Sequence, residues 1–92
     1  MINKERREVI AAVSPEAILF ENPSFDHSII GLTSAGAVVY DLEKMIDELA
    51  NDDSISADEA YEFIDYNTLR SLGYATLEGI APIVIDRSLF ED

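Results

Sequence analysis

The spacing of apolar residues changes several times along the chain, and each change marks an element boundary. Ile2, Val9, Ile10 and Val13 fall on one stripe at helical spacing, with Arg6 in the same stripe. This predicts a helix over residues 3–13, with Asn3 in an N-cap position. Ser14-Pro15 ends it, because the residue before proline is pushed out of the α region. The run Ala17-Ile18-Leu19-Phe20 reads as a short strand, closed by the turn signal Asn22-Pro23-Ser24. Two β-branched and aromatic runs follow, Ser28 to Thr33 and Ala37 to Asp41. Ser34-Ala35-Gly36 separates them, and Gly36 can supply the positive φ of a tight hairpin.

The period then switches to helical. Leu42, Met45, Ile46 and Leu49 predict an amphipathic helix over 42–51, broken by Asn51-Asp52-Asp53-Ser54. Ser56 and Glu59 form a capping-box pattern that opens a second helix over 57–72. Ala60, Ile64 and Asn67 share its inward face, flanked by Tyr61, Phe63 and Leu72, and Gly73 stands where a C′ glycine belongs. Pro82 to Ile85 reads as a last strand, with proline at its start. The resulting order is α-β-β-β-α-α-β, an α+β class in a single small domain over 1–92. Two antiparallel helices would return the chain to the end of the sheet it left. The last strand should then run antiparallel to the third. This predicts a four-stranded, mainly antiparallel sheet with helices packed on one face and the last strand beside the first.

Charge alters the functional picture more than the elements do. The 92 residues hold 19 Asp and Glu against 6 Lys and Arg, a formal charge of −13. Such a chain repels nucleic acid and anionic membranes as direct ligands. Its apolar fraction of 48% is too high for a disordered acidic tail. Cysteine is absent, so no disulfide framework or thiolate chemistry is available. No signal-type or membrane-spanning run is present, and a cytoplasmic location is expected.

Few motifs carry chemistry. His27 is the single histidine, and adjacent Asp26 points to the opposite side of an extended segment. A surface or structural role is therefore expected for it. The segment from Asn51 to Glu62 imitates a calcium loop, but Ile55 and Ser56 occupy positions that need an oxygen ligand and a glycine. Gly31 to Gly36 lacks the Gly-Lys-Ser/Thr of a phosphate loop. No catalytic residue, metal or cofactor is expected, and the chain reads as non-enzymatic. Asn67 on the inward helix face, with Tyr66 and Arg70 nearby, forms a candidate polar cluster. A core asparagine satisfied by the backbone is the plainer reading there; a ligand contact is the sharper one.

The acids are concentrated. Residues 41–65 hold ten of them against Lys44 alone. Asp58, Glu62 and Asp65 follow i, i+4, i+7 spacing, away from the Ala60–Ile64 stripe. Steps of four residues climb about 6 Å along a helix, a pitch that can imitate a phosphate row. Asp58, Glu62, Asp65, Asp47 and Glu48 are thus the candidate interaction face. A solvated face that keeps the protein soluble is the plainer account. Lys4, Arg6 and Arg7 make up half of the bases, so the first helix could clasp the acidic half or pair with a second copy.

Residues 18–40, 59–70 and 82–85 resemble a group of small acidic proteins from bacterial and phage genomes. The Glu62-Phe63-Ile64-Asp65-Tyr66-Asn67-Thr68 segment is the most specific part of the likeness. The group has no assigned activity, so the resemblance transfers no functional residue. It implies a bacterial cytoplasm, with a mobile element as one setting. The expected function is protein–protein contact with a partner of basic surface, with a homodimer left open. The alternative is an acidic nucleic-acid mimic that inhibits a DNA- or RNA-handling protein. A small-molecule binder or enzyme centred on Asn67 stands well behind.

Overall fold

The computed structural model describes residues 2–21, 24–69 and 79–87. It is an α+β arrangement of three helices and a three-stranded mixed sheet. The first helix, α1 (Ile2–Val13), ends where Ser14-Pro15 predicts. Ser14 is buried, and its hydroxyl donates to the Gly36 carbonyl at 2.7 Å, tying the helix end to the hairpin turn. Among the described side chains of the expected stripe, Ile10 is buried, whereas Val9 and Val13 are exposed. The contact face is instead centred on Arg6, Arg7 and Ile10, because the helix is fastened through its arginines.

The expected hairpin is present. Strands β1 (Ile29–Leu32) and β2 (Val38–Asp41) pair antiparallel, with Ile29 opposite Tyr40 and Leu32 opposite Val38. The register shifts between Ile29 and Gly31, so Ile30 is a bulge residue. Gly36 takes φ 94° in the turn, and a Cβ there would meet the Ser14 hydroxyl at 2.6 Å. Asp41 ends β2 and caps the next helix, α2 (Leu42–Asp53). Its carboxylate accepts from the Glu43 amide at 3.0 Å and the Lys44 amide at 3.4 Å. Ser54, in a left-handed conformation, closes α2.

The capping box is formed in full. The Glu59 amide donates to the Ser56 hydroxyl, and the Ser56 amide donates to the Glu59 carboxylate, both at 3.1 Å. It opens α3 (Ala57–Phe63). Ser56→Ala is expected to cost about 1 kcal/mol in urea unfolding. An unchanged midpoint would show that the exposed cap contributes nothing. The helix does not continue regularly to residue 72. A π turn spans Ile64–Thr68, with the Leu69 amide donating to the Ile64 carbonyl. The wider turn shifts the inward direction by one residue. Thr68 is buried behind Ala60 and Ile64, and Asn67 is turned outward. Arg70 and Gly73 lie outside the described residues.

The last strand corrects the expected topology. Strand β3 (Ile83–Ile85) pairs with β2 in parallel, in the order β1-β2-β3. It is neither antiparallel to β2 nor beside the first predicted strand. The reason is the path before it. The Ile80 amide donates to the Glu16 carbonyl and the Ile18 amide to the Ile80 carbonyl, both at 2.9 Å. A Cβ on Gly36 would lie 3.4 Å from the Ile80 side chain, so Ile80 sits at the hairpin-turn end of the sheet. From there the chain runs alongside β2 in the same direction. Residues 17–20 form no strand; Ala17 makes a single parallel bridge to Ile80. Phe20 then leaves the backbone ladder and packs its ring against Phe25 and Tyr40. The Phe20 amide donates to the Tyr40 hydroxyl at 3.1 Å. The core assembles Ile10, Phe25, Ile29, Val38, Tyr40, Met45, Leu49, Ala60 and Ile64. Burial pushes the Tyr40 hydroxyl up to about 12.

Candidate functional site

The amphipathic period of α2 buries Met45 and Leu49 and turns Glu43, Lys44, Asp47, Asn51 and Asp52 to solvent. The same logic on α3 buries Ala60 and exposes Asp58, Tyr61 and Glu62. The ten acids of residues 41–65 are not one uniform face. Asp41 is buried, caps α2 and pairs with Arg87 at 3.2 Å. Glu59 closes the capping box. Glu48 is half-buried and accepts from the buried Ser28 hydroxyl at 3.0 Å. Burial raises the Glu48 carboxyl above its ordinary range, against the opposing Ser28 hydrogen bond. Glu48 is thus tied into the fold through Ser28 and only half offered at the surface.

The five face residues fall into two groups. Asp47 and Glu48 share an open hollow of about 420 Å³ with His27, Lys44, Asn51 and Asp52. Asp58, Glu62 and Asp65 line no part of that hollow. Asp58 and Glu62 remain one helical turn apart and exposed, whereas Asp65 enters the π turn and is half-buried. The expected row of three is a pair with an offset third member. His27 is exposed at the mouth of the hollow. Among the described residues, no group of three or more His, Asp or Glu could hold a metal ion.

The polar cluster is also rearranged. Asn67 is exposed, and its amide donates to the Phe63 carbonyl at 3.2 Å. Tyr66 is exposed beside it, and Arg70 lies outside the described residues. Asn67 is therefore not the buried amide that helical spacing predicts. What spacing missed is the exposure of the rings between the carboxylates. Tyr61 is 45% exposed, Phe63 39% and Tyr66 67%. The signal was present as aromatics at positions 61, 63 and 66, too dense for one helix to bury on a single stripe.

The arginines of α1 do not reach the acidic helices. Arg7 Nε pairs with Asp26 Oδ2 at 2.7 Å, and its Nη2 donates to the Phe20 carbonyl at 2.8 Å. Arg6 Nη1 donates to the carbonyls of Asp26 and Ile29. The Asp26 hydrogen bond raises the Arg7 guanidinium further above its ordinary value. Arg6 and Arg7 clasp residues 20–29, where carbonyls and one buried carboxylate converge, and not residues 41–65; the Lys4 side chain lies outside the described ones.

Among the described residues, no helix is long and apolar enough to cross a membrane. Comparison with known proteins finds no matching family model, curated protein or solved structure.

Proposed function

We propose that this protein acts by non-enzymatic protein–protein contact, through the acidic and aromatic outer face of α3 and the π turn that follows. One observation carries the reading: three exposed rings, Tyr61, Phe63 and Tyr66, interleave with Asp58, Glu62 and Asp65. Carboxylates alone would keep the protein soluble. Exposed rings add nothing to solubility, but they are the residues that anchor protein interfaces. The partner has a basic surface, which the carboxylates steer and the rings grip. The setting is a bacterial cytoplasm, in keeping with a chain that uses no cysteine.

A nucleic-acid mimic is a special case of the same contact. The Asp58–Glu62 spacing favours it, since one helical step of about 6 Å resembles a phosphate step. Two variants test the reading in a pull-down from a bacterial lysate. Asp58→Lys with Glu62→Lys reverses the charge, and Tyr61→Ala with Tyr66→Ala removes two rings. Both pairs are exposed, so each is expected to change stability by no more than about 1 kcal/mol. A partner held by the wild type should be lost by both variants. It should also elute at 1 M salt, where screening acts within about 3 Å. Retention by both variants would overturn the proposal. Displacement of the partner by duplex DNA would identify mimicry.

A further inference from the structure

Adjacent arginines of α1 have different fates. Arg7 is neutralised by Asp26 and Glu21. Arg6 forms no ion pair among the described residues, although two carbonyls fix its Nη1, at 3.2 and 3.0 Å. Its Nε and Nη2 carry three N–H donors with no partner among the described residues. Among the described residues, this held guanidinium is the one charged group lining a groove of about 550 Å³ between α1 and β1. Val9 and Ile10 line the helix side; Ile29, Ile30 and Leu32 line the strand side. The strand wall belongs to the stretch from Ser28 to Tyr40, which contains no charged residue. The Asp26 carboxylate nearby is already paired with Arg7. At Gly31 an added Cβ would meet nothing within 4 Å, so the groove is open above the strand.

We propose that this groove binds a small amphipathic monocarboxylate, its apolar body along Val9, Ile30 and Leu32 and its carboxylate on Arg6. The volume lies in the range of about 300–1,000 Å³ typical of small-molecule sites. A guanidinium with a free N–H fork matches a carboxylate in two parallel hydrogen bonds. A peptide strand added to β1 fits less well. The Ile30 bulge breaks the ladder, and Arg6 already occupies the outward Ile29 carbonyl. The ligand is thus recognised by charge at one end and apolar contact along the rest.

The test uses the full ¹⁵N-labelled chain titrated with octanoate, followed by amide chemical shifts. Saturable shifts confined to residues 6–10 and 29–32 are expected. Octanol should bind at least about ten-fold more weakly, since it lacks the charge that Arg6 reads. Gly31→Val should fill the groove and weaken octanoate about ten-fold, with the unfolding midpoint unchanged or raised. Val9→Glu, at an exposed site one turn from Arg6, should compete for the guanidinium and weaken binding similarly. This second variant settles the matter should Gly31→Val fail to fold. Equal affinity for octanol, shifts outside the groove, no saturation at about 10 mM, or full binding by Val9→Glu would each overturn the proposal.

Discussion

Replacing Arg7 with methionine is expected to lower the unfolding free energy by about 3 kcal/mol, the largest effect of any single change on the surface of α1. The Asp26 side chain is 8% exposed, and its Oδ1 has no hydrogen-bond partner. Among the described residues, Arg7 Nε on Oδ2 is therefore its one side-chain hydrogen bond. Methionine keeps most of the apolar stem but leaves a buried carboxylate without a cation. For a domain with roughly 5–15 kcal/mol in total, such a loss is a large share. The matching change at the other buried carboxylate should cost markedly less. Asp41 keeps two backbone amide donors when Arg87 is removed, and the Arg87 side chain is 47% exposed.

The origin of the loss can be separated by a double mutant. If the cost arises from the stranded carboxylate, Arg7→Met with Asp26→Leu should be more stable than Arg7→Met alone. Urea unfolding of the wild type, both single variants and the double variant gives the coupling directly. Strict additivity, or a single-variant loss below about 1 kcal/mol, would show that α1 is held by something other than this pair. Arg6, through its bonds to the Asp26 and Ile29 carbonyls, and Ile10, a buried apolar side chain of α1 in the core, are then the remaining candidates.

The same clasp shows why some of the fold is legible in the sequence and some is not. The hairpin, α2 and the capping box rest on signals a few residues long: Gly36 with its positive φ, the 42-45-46-49 apolar spacing, and Ser56 with Glu59. Each states its own geometry locally. The direction of β3 has no local signal, because it depends on the route the chain takes to Ile80. The π turn at Ile64–Thr68 likewise has no residue signature, yet one extra residue in the turn moves Asn67 outward and Thr68 inward. Counting charge located the acidic segment but could not tell which acids the fold itself uses. Asp41, Glu48 and Glu59 are taken up by a cap, a buried serine and a capping box. Those are tertiary or end-of-helix facts. The partners of Arg6 and Arg7 were hidden for the same reason: most are backbone carbonyls, which composition does not register.

The fully buried Phe25 yields the second large effect, and its sign pattern is unusual. Phe25→Ala is expected to cost about 3–5 kcal/mol, as for other buried aromatics. Its ring stands edge-on to Phe20 at 6.1 Å, and Phe20 in turn packs on Tyr40. Yet the Phe25 backbone is left-handed, at φ 54° and ψ 32°, a conformation costing a side-chain-bearing residue roughly 1–2 kcal/mol. Alanine loses the ring and keeps that strain. Glycine loses the ring and is relieved of it, at an entropic cost of about 0.5–1 kcal/mol in the unfolded chain. Phe25→Gly should therefore unfold at slightly higher urea than Phe25→Ala, reversing the order of side-chain size. The strain is tolerated because the left-handed residue turns the chain into the short helical turn Asp26–Ser28. That turn sets Asp26 beneath Arg7 and Ser28 against Glu48. A glycine variant clearly less stable than the alanine variant would sink this account. It would mean that ring packing alone, and not its balance against a left-handed backbone, governs residue 25.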